Sequence, residues 1–250
     1  MILIANKPIS DASLPGSFTA NSVEGQVFNA MRVSTAQYAY DSIQQLIFEL
    51  RLRREIVNAA DLLYRSGLNF AVFLRTICNE VYWDRTRNGG FQLKSGANPA
   101  QAIRDIYENG SQYATECATA MMIVYYKALL ETYGESQFNS MFKNIYLMNW
   151  YITDPLLQAV GTPKPAADKL LGDRGYFANP DVDPQTPQWQ GENVIIMPGG
   201  LYYGHGLGML PADQIIEDLN ENRVDDATVS AYMTDSVGRP DFKLLAKYAQ

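Results

Sequence analysis

At 250 residues the chain can fill one hydrophobic core without exceeding the size at which cores divide, ~250–300 residues, so a single domain over 1–250 is expected. With 47% hydrophobic and 19% charged residues and a net charge of -7, it has neither the composition of a disordered chain nor the basic footprint of a nucleic-acid or anionic-membrane binder. Its two cysteines, Cys78 and Cys117, make no Cys-x-x-Cys pair, which excludes a disulfide framework and a thiolate metal or redox site.

Residues 1–35 carry the turn formers Pro8, Pro15 and Gly16 and no sustained periodicity, predicting an irregular arm or short strands with nothing catalytic in it. Met1 to Ser10 lacks the basic start and apolar run of a secretory signal, and the longest apolar stretch, Ala118 to Tyr126, is far short of the ~20 residues that span a bilayer. A cytosolic product without membrane contact is expected. From Tyr40, Ile43, Leu46, Ile47, Leu50 and Ile56 recur at helical spacing opposite Glu49, Arg51, Arg53 and Arg54; a second helix follows over Ile56 to Ser66, closed by Gly67. Asn69 to Val81 is apolar enough to continue as helix, while Asn88-Gly89-Gly90 suits a hairpin or loop within Tyr82 to Gly90. Pro99 precedes a helical run, Ala100 to Tyr107, that stops at Asn109-Gly110.

Thr115 is placed to cap a helix whose body runs from Glu116 to Leu130 and is apolar nearly all the way round, the pattern of a helix buried in the middle of a domain. Ile145 to Trp150 reads as a short strand. Five prolines between Gly161 and Gln188 predict a long surface loop, with an interdomain linker as the alternative. A hairpin follows, Glu192 to Met197 and Leu201 to His205 around Pro198-Gly199-Gly200, then a helix from Asp213 to Leu219 and a short tail.

Cys117 falls in the first turn of the buried helix, where free backbone N–H groups and the helix dipole favour a thiolate; the competing reading is a small, inert apolar residue. Cys78, directly after the run Phe73 to Ile77 and with no helix start beside it, reads as inert. His205 is the only histidine, so any imidazole acid or base must be this residue; otherwise it is a hydrogen-bonded turn histidine. Strand parity bears on Glu192: an even hairpin loop sets it on one face with His205, whereas a three-residue loop sets Asn193 opposite His205. Glu116 adjoins the thiol and is otherwise a favourable first-turn charge. Trp189, Asn193 and Tyr203 stand as candidate substrate-binding residues. Asp218, Asn220 and Asn222 imitate a calcium loop, but Arg223 and Val229 occupy the positions of its glycine and glutamate, and the site is rejected.

Taken together, Ile103-Arg104-Asp105-Ile106 with Glu108-Asn109-Gly110, Tyr113, Glu116-Cys117-Ala118-Thr119-Ala120, Phe177-x-Asn179-Pro180-x-x-Asp183-Pro184, Gln188 to Ile195 and Gly204-His205-Gly206-Leu207-Gly208 resemble the small spore-coat transglutaminases of endospore-forming bacteria. The similarity runs roughly from Tyr38 to Tyr232, more weakly through Phe48 to Arg53 and Phe70 to Thr76. It implies an α+β fold with a papain-like (NlpC/P60-like) core and a calcium-independent protein-glutamine gamma-glutamyltransferase. Carried over with it are the catalytic residues Cys117, Glu192 and His205, with Glu116 as neighbouring carboxylate, and no cofactor or metal. The partners implied are glutamine- and lysine-bearing coat proteins, met by a monomer that is made in the mother cell and deposited on the spore coat. Arg174 departs from the pattern, since some relatives are expected to have cysteine after Gly172-Asp173; such a cysteine is then dispensable. The expected chemistry is a cysteinyl thioester in a narrow aromatic tunnel. A cysteine amidase or peptidase, or a coat scaffold with an inert thiol, are the competing readings.

Overall fold

In the computed structural model, which describes residues 1–9, 18–150 and 154–249, each long helix begins at a side chain that accepts its orphan N–H groups. Ser22 caps α1 (Val23–Val33), Ser42 caps α2 (Ile43–Arg65), Asn98 caps α3 (Pro99–Glu108) with Pro99 in the first turn, and Glu116 caps α4 (Cys117–Tyr133). Shorter helices follow: α5 (Glu135–Met141), α6 (Gln158–Gly161), α7 (Ala212–Asn220) and α8 (Phe242–Ala246).

Several expectations are corrected. The two helices expected between Tyr40 and Ser66 are one, α2, because nothing at Ile56 interrupts its hydrogen bonds. The N-terminal arm contains α1 besides the strands Ile2–Ile4 and Lys7–Pro8; Pro15 and Gly16 lie outside the described residues. Asn69 to Val81 is not helical: Asn69–Phe70 pairs in parallel with Ala114–Thr115, and Phe73–Arg75 makes one 3-10 turn. The proline-rich stretch hides a strand, Arg174–Ala178, that lies inside the main sheet; Pro165 and Pro180 flank it and leave its N–H groups free to pair.

That sheet is antiparallel, with the order Gly208–Pro211, Leu201–Gly204, Gly191–Ile196, Arg174–Ala178 and Tyr232–Met233. All six residues of Gly191–Ile196 are buried because both faces are covered. Ile195 joins Leu52, Ile56 and Leu63 of α2 and Met121, Val124 and Leu129 of α4 in the main core, whereas Val194 joins Ile215 and Leu219 of α7 on the opposite face. α4 is buried between α2 and the sheet, as its lack of a polar face requires. The molecule is thus a mixed α and β single domain.

The hairpin between Ile196 and Leu201 closes with the three-residue loop Pro198–Gly200: Met197 N–H donates to Leu201 O at 2.9 Å and Val194 pairs with Gly204. Gly199 and Gly200, at φ 75° and 76°, allow it. Continued in this register, Asn193 rather than Glu192 comes opposite His205, which leaves the ladder and enters the turn to Gly208.

Candidate active site

The Ala114–Thr115 strand delivers the chain to α4, and Glu116 bends its carboxylate back over the helix start. It accepts from Ala118 N–H at 2.6 Å, from Thr119 N–H at 2.8 Å and from the Thr119 hydroxyl. Glu116 rather than Thr115 is therefore the cap, and Cys117 is the first helical residue. Its thiol is half-buried and opens on a cavity of about 460 Å³ walled by Phe70, Phe73, Trp150 and Tyr176, with Gln188 and Gln190 at its polar side.

Asn193, on the neighbouring strand, donates from Nδ2 to Cys117 Sγ at 3.5 Å. Its Oδ1 accepts from Arg174 Nη1 at 2.8 Å. Glu192 is 7% exposed and its Oε1 has no hydrogen-bond partner. Room for it exists because position 204 is glycine, where a Cβ would lie 2.9 Å from Glu192 Cγ. Burial, then the Glu116 charge, push the Glu192 carboxyl well above the ordinary value; contacts with the Cys117 thiol and the His205 backbone N–H pull it partly back.

Burial also pushes the Cys117 thiol well above its ordinary value, and the carboxylates of Glu192 and Glu116 add to this, with the hydrogen bonds of Asn193 opposing. This corrects the expectation of a resting thiolate: the favourable helix terminus is outweighed, and the sulfur keeps its proton until a base takes it. Cys78 is buried with its thiol pushed up to about 11, as an inert residue would be.

The structure does not bring every expected residue to this cavity. The His205 ring lies in a second cavity of about 340 Å³, with Tyr64, Leu68 and Tyr203, and Phe70 is the wall shared by both. His205 Nε2 meets Asn69 O at 3.1 Å, and Nδ1 meets the Tyr203 hydroxyl at 3.4 Å. A carbonyl only accepts, so the ring donates to the backbone here, to Asn69 O from Nε2, with the Thr115 carbonyl as a second acceptor beside it. Burial pushes the imidazole down to about 4, so it is uncharged at neutral pH. Tyr203 serves this second cavity, and Trp189 packs against the Phe177 and Ile215 core; neither lines the thiol cavity, because Tyr203, though on the face of Asn193, pairs with Ile195 two residues further along the strand, and the 3-10 turn Pro187–Trp189 turns Trp189 away. Arg174, Phe70 and Trp150 had no assigned place in the sequence reading. The one signal was Arg174's departure from the family pattern.

Among the described residues no group of three or more His, Cys, Asp or Glu could hold a metal ion, and no helix is long and apolar enough to cross a membrane.

A family model described as "Protein-glutamine gamma-glutamyltransferase" matches residues 1–249. Curated relatives of that name from Bacillus mycoides (strain KBAB4) and Bacillus cereus (strain G9842) are each 42% identical, over 225 and 224 residues respectively, covering 90% of this chain and 80% of theirs. The solved structure of a "Transglutaminase from Geobacillus stearothermophilus (without C-terminal extension)" is similar with a TM-score of 0.78 and 45% identity, over 83% of this chain and 98% of that one.

Proposed function

Since this chain belongs to the protein-glutamine gamma-glutamyltransferase family, we propose that it forms ε-(γ-glutamyl)lysine cross-links between proteins through a thioester on Cys117. The observation that carries the reading is the Cys117 thiol at the start of α4, open to an aromatic-walled cavity with the Glu192 carboxyl and the Asn193 amide against its sulfur.

In the first half-reaction Glu192 takes the thiol proton, the sulfur bonds to the γ-carboxamide carbon of a protein glutamine, and the C–N bond breaks. Glu192 returns its proton to the departing nitrogen, which leaves as ammonia. A lysine ε-amine, arriving as the free base, then attacks the thioester. Its surplus proton passes to Glu192 and on to the sulfur as the C–S bond breaks, regenerating the thiol. The oxyanion formed in each half meets the Cys117 N–H, because Glu116 already occupies those of Ala118 and Thr119. The apolar walls keep water from the thioester and favour transfer over hydrolysis. His205 contributes its backbone N–H to Glu192 and anchors the turn through its ring; this geometry supports Glu192, not the imidazole, as proton carrier.

Helix α4 with its leading cysteine against an antiparallel sheet supports the papain-like (NlpC/P60-like) reading of the core. Coat proteins as substrates, synthesis in the mother cell with deposition on the spore coat, activity without calcium, and a monomer belong to this reading through the sequence resemblance; the Bacillus relatives support the transferase activity.

The test is incorporation of a fluorescent primary amine into casein, with ammonia release followed in parallel and a chelator present. The native protein is expected to do both, and Cys117→Ala to lose both by at least about a thousandfold while keeping its fold. Undiminished incorporation by Cys117→Ala would sink the proposal.

A further inference from the structure

Arg174 is a buried cation that the steps above leave unused. Its residue is 4% exposed, a burial that pushes its pKa down, and arginine is seldom buried so deeply without a carboxylate. Among the described residues, the ionisable groups that favour its charge are Tyr125, Cys117 and Tyr176, none of them an acid of the carboxylate type. Its donors go elsewhere. Nε donates to Val160 O at 3.1 Å, Nη1 to Asn193 Oδ1 at 2.8 Å, and the guanidinium lies over the Trp150 ring with Cζ 4.6 Å from the centroid. The same Asn193 amide donates to Cys117 Sγ at 3.5 Å.

An asparagine amide is nearly symmetric in shape, and turned by half a revolution it would aim its oxygen at the sulfur and repel a thiolate. Arginine has donors only, so Arg174 holds Oδ1 on its own side and leaves the NH₂ facing Cys117. It also polarises the amide, because hydrogen bonds in series strengthen one another in a low-dielectric site. We propose that Arg174 is a positioning residue of the acyl transfer, acting through Asn193 to keep an N–H on the Cys117 sulfur as it ionises.

The inference rests on Cys117 being the nucleophile. The titratable groups around that sulfur otherwise oppose ionisation: Glu192 on the same strand as Asn193 and Glu116 at the cap both raise the thiol. Tyr176, on the strand of Arg174, is a neutral phenol held above its ordinary value by burial. Asn193, with Arg174 behind it, is the side chain that works in the other direction.

The experiment is alkylation of Cys117 by iodoacetamide from about pH 5 to 10, followed on the Cys117-bearing peptide by mass spectrometry. Arg174→Met is expected to shift the alkylation rate down about tenfold at every pH of this range, as a thiol with about a tenfold smaller ionised fraction would; Arg174→Lys, which keeps a charge and a donor, lies closer to the native protein. In an Asn193→Ala background, Arg174→Met is expected to add no further shift. An unchanged alkylation rate across the range in Arg174→Met with only a lower melting temperature makes Arg174 a packing residue and overturns the proposal. A full second shift on Asn193→Ala assigns the effect to the bare charge and overturns the route through the amide. Should Arg174→Met not fold, Arg174→Lys with and without Asn193→Ala gives the same cycle, with a smaller expected shift. Amine incorporation that survives complete alkylation of Cys117 would instead defeat the nucleophile assignment, whatever Arg174 does.

Discussion

Burying a carboxyl whose Oε1 finds no hydrogen-bond partner costs stability, and Glu192 is held in that state beside the Cys117 sulfur. The cost has a chemical return, because a carboxyl raised by burial is a stronger base once ionised and a serviceable acid once protonated. Glu192 must be ionised to accept the thiol proton, and its pKa stands above the ordinary carboxylate value. Turnover is therefore expected to keep rising with pH beyond the region where a solvent-exposed glutamate is fully ionised. Glu192→Gln is expected to cost about 10²–10⁴-fold in kcat/KM and to flatten this acid limb, read from a pH profile of ammonia release. Cys117, Glu192, His205 and Glu116 are all recognisable from the local motifs that contain them. The bond between Arg174 and Asn193 is not, since it joins two strands whose register no single stretch of chain encodes.

The helical character of α2 and α4 is legible because their apolar spacing repeats over several turns, but their bounds are less so: α2 runs through Ile56 where a second helix is expected, and at α4 Thr115 and Glu116 can each accept a first-turn N–H, so that only the backbone path decides. The hairpin was open between loop lengths because two successive glycines permit all of them. The loop that walls the thiol cavity is irregular, and its shape comes from distant braces. Arg85 donates from Nε to Thr76 O at 2.7 Å and from Nη2 to Leu74 O at 2.9 Å. Gly89 presses in from the neighbouring turn at φ 91°, where a Cβ would come within 1.9 Å of Phe73 O. Gly89→Ala is expected to destabilise the protein by at least ~1 kcal/mol in urea denaturation. Because Val72 and Phe73 line the cavity, it should also raise KM for the glutamine donor while Cys117 remains alkylatable.

Across the whole molecule, one buried ionic network ties segments that lie far apart in the chain. Arg53 of α2 donates to Glu49 and Asp173, each at 2.8 Å; Asp173 also receives Arg239, and Glu49 receives the Tyr40 hydroxyl at 2.9 Å. The amphipathic reading put Glu49 and Arg53 on a solvated face. They are instead buried, because the chain before strand Arg174–Ala178 and the C-terminal segment both fold across that face. Arg53→Met leaves the buried Glu49 carboxylate without a cation and takes one of its two from Asp173, and is expected to cost about 3–5 kcal/mol in urea denaturation, with activity per folded molecule retained. α4 adds a further consequence at this scale. The proposed nucleophile rides on the first residue of a rod whose body, Ala118 to Tyr126, is buried throughout, so the sulfur keeps its place unless that rod leaves the core, and the amides of the buried turns open to solvent exchange only when the entire domain does. Heat then divides the population into fully competent and wholly dead molecules, with no class of weakened survivors between them.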